Sequence, residues 1–144
     1  MVPTPPSSLS EFHAALLEFL ITAKQGLMTA AKEYDLTIIQ SMTIILIDIQ
    51  KPKAMKDFQK IYACDASNVT GIVDGLEEKG LVVRGVDQND RRIKTVLLTE
   101  KGKKTQQMLI TGFRQVDDSI LSSLTPMELS IFQAMMIKLS NRIY

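Results

Sequence analysis

Cysteine and histidine are almost missing from this chain, with one of each in 144 residues. One cysteine leaves no internal disulfide and no cysteine-rich zinc site. With a single histidine as well, a zinc site would need several carboxylates, so no structural metal is expected. Glycine and proline are sparse, at 7 and 5, which excludes collagen-like or linker-like character. No uninterrupted apolar run reaches ~18 residues, so no membrane span is expected. Met1–Ser10 lacks a basic stretch followed by an apolar one, so a secretory signal is not expected and a cytoplasmic protein is. There is no cluster of His, Cys and Asp and no glycine-rich phosphate loop, so neither an enzyme nor a bound cofactor is expected.

What remains is an ordinary globular composition, 45% hydrophobic and 23% charged, long enough for one domain with a real core. The 17 basic and 16 acidic residues nearly cancel, to +1, but they are segregated. Lys51 to Lys104 carries 12 Lys/Arg against 8 Asp/Glu, while the remainder holds 5 basic and 8 acidic residues. A basic middle between acidic ends suits an anionic partner, although chance variation on a solvated surface gives the same pattern.

Periodicity supplies the elements. Ser8 and Glu11 have capping-box spacing and predict a helix start. Leu9, Phe12, Leu16, Phe19, Ala23, Leu27 and Ala30 then recur at steps of three and four, a narrow apolar seam that needs a partner surface. Thr37 and Gln40 form a second capping box before an apolar helix, and Pro52 closes the connection after it. Met55–Ala63 reads as a short helix. Asp65 caps the next one, in which Val69, Ile72, Val73 and Leu76 mark the buried side and Gly80 the end. The period then shortens. Leu81–Arg84 and Ile93–Leu98 read as two strands joined by the polar turn Asp87–Asp90, with Arg91 and Arg92 at the tip. Thr99 caps a helix striped by Leu109, Phe113, Val116 and Ile120. Thr125, Pro126 and Glu128 open the last helix.

Two short helices and a basic-tipped hairpin make a winged helix-turn-helix, with the second short helix as the recognition helix. Opposite its apolar side lie Ser67, Gly71, Asp74 and Glu78, flanked by Asn68 and Thr70. Small polar groups at a helix N-terminus suit base edges or phosphates in a major groove. Arg91 and Arg92 suit phosphates or an adjacent minor groove.

The phrases Asp35-Leu36-Thr37-Ile38-Ile39-Gln40, Asp65-Ala66-Ser67-Asn68-Val69-Thr70, Leu76-Glu77-Glu78-Lys79-Gly80-Leu81, Val83-Arg84, Asp90-Arg91-Arg92 and Leu98-Thr99-Glu100-Lys101-Gly102 follow in this order. Together they resemble the MarR family of bacterial transcriptional regulators. The resemblance implies a mainly α fold with a small β-hairpin wing, divided into an N-terminal dimerisation helix (1–35), a winged helix-turn-helix lobe (36–100) and C-terminal dimerisation helices (101–144). It implies a homodimeric repressor on a near-palindromic double-stranded operator. A small aromatic or phenolic effector, held between the dimer helices and the lobe, is a further expectation. By the resemblance Ser67, Asn68, Thr70 and Gly71 stand at recognition-helix positions, and Asp90 orients Arg92 in the wing beside Arg91 and Lys94. The chain departs from the family at Gly71 and Gly75, where basic or polar residues are common. Each costs its helix about 0.8–1 kcal/mol relative to Ala. Fewer basic side chains there shift weight to Arg91, Arg92 and Lys94. The alternative reading, a winged-helix module that binds protein, rests on the modest net charge and these two glycines.

Other residues carry two readings each. Cys64, in the turn before the recognition helix, is a redox switch or a small packed apolar residue, the latter being the commoner case. His13 lines a ligand crevice or is an ordinary helix position. Met127, Met135 and Met136 make an adaptable surface or plain packing. Asp117 and Asp118 are a metal or effector site or, the usual case, a solvated face. Asp74 and Glu78 either lie beyond the groove or, for Asp74, support a wing arginine.

Overall fold

The computed structural model describes residues 10–140. Helix α1 spans Glu11–Lys32 and α2 Ile38–Leu46; strand β1 is Lys53–Ala54; α3 is Met55–Tyr62 and α4 Ala66–Glu78; β2 and β3 are Val82–Val86 and Lys94–Leu98; α5 is Glu100–Leu121 and α6 Pro126–Ser140. Helix, helix–helix–hairpin and long helices thus follow in the expected order.

Local chemistry explains most boundaries. At Thr37 both arms of the capping box are made: the hydroxyl accepts from the Gln40 N–H (3.2 Å) and the Gln40 Oε1 accepts from the Thr37 N–H (3.0 Å). The Asp65 carboxylate accepts from the Asn68 N–H at 2.8 Å and opens α4. Gly80, one residue past the C-cap Lys79, has φ +68°, where a side chain would be strained. The Thr99 hydroxyl accepts from the Gly102 N–H (2.9 Å) and donates to the Gly80 carbonyl (2.7 Å), so the end of α4 and the start of α5 are tied together. Gly102 is buried where the Leu81 carbonyl oxygen presses on α5, and a Cβ there would collide with it.

Several expectations change. The predicted Ser8 cap lies outside the described residues; Ser10 caps α1, its hydroxyl accepting from the His13 N–H. The expected hairpin is present, β2 pairing antiparallel with β3, and a third strand joins it. β1 is antiparallel to β3 (Lys53↔Val96), giving the order β1-β3-β2, and a two-residue strand is too short to leave a period in the sequence. The first wing strand starts at Val82 and runs to Val86, two residues beyond Arg84; the Leu81 N–H instead bonds the Leu76 carbonyl and closes α4.

The core lies inside the lobe. Phe58, Ile44, Val73, Leu76 and Val96 are fully buried, and Leu109 enters from α5. Gln106 of α5, 4% exposed, donates from its amide to the carbonyls of Ile44 (2.7 Å) and Ile47 (2.8 Å). Those carbonyls end α2, so a side chain of the long helix caps a helix of the lobe. The long helices are far less covered. α1 crosses α5 tightly where Gly26 meets Val116, and Ala30 and Ala31 are buried nearby. Further out, Phe12 is 70% exposed, and Leu16, Leu17 and Leu20 are also exposed. α6 turns away from α5 by 120° and buries none of its residues; Phe132 meets Phe19 edge-on at 6.0 Å. No described helix alone is long and apolar enough to cross a membrane.

Replacing Gln106 with Leu removes the side-chain donor from the buried ends of α2, leaving the Ile44 carbonyl only its 3.3 Å bond from the Ile47 N–H and taking the Gln106 donor from the Ile47 carbonyl. A loss of about 2 kcal/mol or more is expected in denaturant unfolding, against a change near zero if water reached those groups.

Candidate nucleic-acid interface

The candidate surface is built from α4 and the wing. The apolar stripe of α4 sinks Val69, Val73 and Leu76 into the core, which turns Ser67, Asn68, Thr70 and Gly71 to solvent. The first turn is stiffened by its cap: Ser67 Oγ donates to the Asp65 carboxylate at 2.9 Å, and Thr70 Oγ1 donates to the Ala66 carbonyl at 2.8 Å. Hydrogen bonds from the Asn68 N–H and then the Ser67 hydroxyl hold the Asp65 carboxyl below its usual value of 3.8.

The two glycines differ. A Cβ on Gly71 would meet nothing within 4 Å, so packing does not require glycine there. Gly75 is half-buried, and its Cβ would stand 2.6 Å from Gln40 Nε2 of α2. The expectation that Gly75 marks a lost outward basic side chain is therefore corrected: the position faces α2.

At the wing tip the Asp87 carboxylate accepts from the Asn89 and Asp90 N–H groups and shapes the turn. Asp90 accepts from Arg92 through Nε (3.1 Å), Nη2 (3.2 Å) and the backbone N–H (3.0 Å). The Arg92 side chain is oriented yet 92% exposed. Those hydrogen bonds, the side chain's first and then the backbone N–H's, hold the Asp90 carboxyl below 3.8. Arg91 and Lys94 are exposed beside it and form no ion pair with any described residue.

Asp74 does support a wing arginine, but the arginine is Arg84 in β2 and not one at the tip. Its guanidinium pairs with Asp74 and with Glu77 (3.3 Å), and donates to the Thr70 carbonyl (3.3 Å). One residue thus cancels two acids of α4 and joins wing to helix. Its position was open to a period-two reading, since Arg84 shares the α4-facing side of β2 with buried Val82. Glu78 stays exposed at the far end of the helix. Among the other candidates, Cys64 is free and packed against the core, and His13 Nδ1 sits 2.6 Å from the Ser10 hydroxyl. Asp117 and Asp118 are exposed on α5. The described residues hold no group of three or more His, Cys, Asp or Glu suited to a metal.

A profile of the MarR family matches residues 36–94, which span α2 through the first residue of β3. The regulator YwhA of Bacillus subtilis is 27% identical over 126 residues, 88% of this chain and 90% of that one. The described fold superposes on the crystal structure of MarR with a TM-score of 0.81 at 16% identity, covering 97% and 95% of the two chains. Residues 36–94 thus carry a MarR-family domain. Identity is higher but coverage shorter for the repressor NicR of Pseudomonas putida, 33% over 89 residues. The chain spans only 56% of NicR and 59% of the regulator YfiV of Bacillus subtilis. BpsR of Bordetella bronchiseptica, whose DNA binding is regulated by 6-hydroxynicotinic acid, has the same fold: TM-score 0.76, 22% identity, 96% and 98% coverage. YwhA and YfiV are transcriptional regulators of helix-turn-helix type and NicR is a transcriptional repressor of that type.

Because Asp90 is held down by Arg92, its contribution to wing stability is complete above pH 3.8 and is lost as pH falls through its lower folded value. The Asp90 carboxyl carbon should titrate below 3.8 by NMR, and Arg92→Ala should move it back up. An unmoved midpoint would refute the pairing in solution.

Proposed function

We propose that this chain is a homodimeric repressor that binds a near-palindromic double-stranded operator. The observation that carries the reading is the pairing of a small, polar, cap-stiffened recognition face with an exposed arginine fixed by Asp90. In this reading Ser67, Asn68, Thr70 and Gly71 meet base edges or phosphates in the major groove. Arg92, oriented by Asp90, works with Arg91 and Lys94 on the backbone or the neighbouring minor groove.

The dimer is supported by exposed apolar surface. Phe12, Leu16 and Leu20 on α1 and Met127, Ile131 and Met135 on α6 lie open to solvent, more than a monomer ordinarily leaves uncovered. Residues 1–35 and 101–144 are read as the dimerising segments on that ground. The effector reading, a small aromatic or phenolic compound, draws on the regulation of BpsR and on Ile39, Met42 and Leu46. These form an exposed apolar stripe on α2, which packs against both long helices.

Gly71 provides a test that separates function from folding. Gly71→Ala should stabilise the protein by about 0.8–1 kcal/mol in thermal or denaturant unfolding, because the helix gains and nothing is displaced. If a groove edge approaches the helix there, the same change should weaken duplex binding at least about threefold at fixed salt. Stability up with affinity unchanged would remove Gly71 from the interface. Arg92→Ala should weaken binding across all duplex sequences and lower the slope of log K against log salt by about 1. An unaltered titration would sink its role. Sedimentation of the protein–duplex complex should give two chains per duplex; one chain would contradict the dimer.

A further inference from the structure

Helix α4 ends at a junction with both long helices. Lys79 is its C-cap, and Gly80 beyond it turns the chain. The three carbonyls at this exit are all taken by the start of α5. Lys101 Nζ donates to the Lys79 carbonyl at 2.7 Å, the Thr99 hydroxyl to that of Gly80 at 2.7 Å, and the Thr99 N–H to that of Leu81 at 3.0 Å. An ammonium at this end also complements the helix dipole. The Lys79 side chain runs the other way, to the carboxylate of Asp35 just past the end of α1. Asp35 stands at φ 54°, a left-handed backbone that aspartate and asparagine tolerate better than most residues. There the chain leaves α1: the Leu36 N–H bonds back to the Ala31 carbonyl at 3.1 Å, and the Leu36 side chain enters the core of the lobe. The Lys79 hydrogen bond, and then its charge, hold the Asp35 carboxyl below 3.8. That carboxylate pairs with Lys79 and with no other described residue. It caps no backbone group, since α5 already supplies donors to the α4 exit. Its one contact joins α1 to α4.

We propose that Lys79 is a positioning residue for α4, clasped by Asp35 through its ammonium and by Lys101 through its carbonyl, so that the pose of the outward helix follows both long helices. The inference rests on the DNA-binding reading above and adds to it the joint that sets how the helix is presented. Lys79 lies about two turns beyond Gly71, and neither it nor its partners belong to the face assigned to duplex contact. A change in the crossing of α1 and α5 would pull on the two sides of Lys79 unequally and tilt α4 about its exit. The clasp therefore acts on binding through geometry and not through its own charges.

The sign of one substitution tests it. Removing an acid from a chain that binds a polyanion strengthens binding when only the field matters. Asp35→Asn removes the charge and keeps the left-handed turn. The clasp predicts the opposite sign: labelled duplex should bind the full chain about two- to fivefold more weakly at fixed salt, the small factor reflecting an exposed pair. The slope of log K against log salt should not change. Lys79→Met should weaken binding similarly at wild-type slope, and the double variant no further than either single one. The Asp35 side chain is 95% exposed, so the unfolding curve of Asp35→Asn should stay at wild-type values. Tighter or unchanged binding by Asp35→Asn overturns the clasp. A lower slope in Lys79→Met also overturns it and makes Lys79 a phosphate ligand. A second readout needs no DNA. Spin labels at Glu78→Cys on α4 and Gln107→Cys on α5, both exposed positions, are placed in a Cys64→Ala background. They should give one narrow distance that shifts or broadens when Asp35→Asn is added. An unchanged distribution overturns the clasp whatever the duplex does. A wild type that retains no duplex at low salt overturns the DNA-binding reading and leaves the clasp to be decided by the distances.

Discussion

One buried side-chain amide joins the two halves of this molecule. The last carbonyls of α2 are short of backbone donors, Ile44 accepting from the Ile47 N–H at 3.3 Å. Gln106, projecting from α5, donates to two of them and is itself withdrawn from water. Leaving such carbonyls dry and unpaired costs about 1–3 kcal/mol each. α2 therefore cannot slide on α5 without losing both contacts together, and Leu109, one turn further along, adds an apolar anchor. Because α2 also carries Gln40, which packs over Gly75 of α4, the orientation of the outward helix traces back through α2 to the long helix. An adjustment of the long helices, by a second chain or by a small molecule lodged against α2, would act on the α4 face through this chain of contacts.

The second organising feature is the distribution of charge. Helix α4 offers almost no free positive charge: its outward residues are small and neutral near the start and acidic further on. Arg84 cancels Asp74 and Glu77 from the wing side, while the cations that remain exposed stand around the helix, at Lys56, Arg91, Arg92 and Lys94. Exposed pairs of this kind contribute little to stability, about 0–1 kcal/mol at most. Their effect here is on the field and on geometry. In the proposed function the surroundings supply sequence-independent attraction to phosphate, and the neutral helix is left to fit a groove closely, with Gly71 as its most open point.

What the sequence disclosed was whatever depends on neighbours three or four residues away. The caps at Thr37, Asp65 and Thr99, the buried stripe Val69-Val73-Leu76 and the left-handed Gly80 are local patterns, and each is found where the spacing puts it. The family phrases worked for the same reason: Leu98-Thr99-Glu100-Lys101-Gly102 encodes a cap and the one residue that leaves room for the Leu81 carbonyl. The illegible features join distant parts of the chain. Gln106 and Ile44 are 62 residues apart, and a glutamine in a helix shows no sign of its partner. Gly75 suggests a missing contact with DNA until Gln40 is found over it. Strand β1 is two residues long and exists only because β3 lies alongside.

The central claim is that two copies of α4 read two half-sites related by a two-fold axis. The most direct test is selection of bound fragments from a random duplex library, with enrichment read at two salt concentrations. The account predicts a near-palindrome whose half-sites lie about one helical turn apart, with overall retention falling steeply as salt rises. No enrichment at low salt, or enrichment of a single asymmetric half-site, would contradict it.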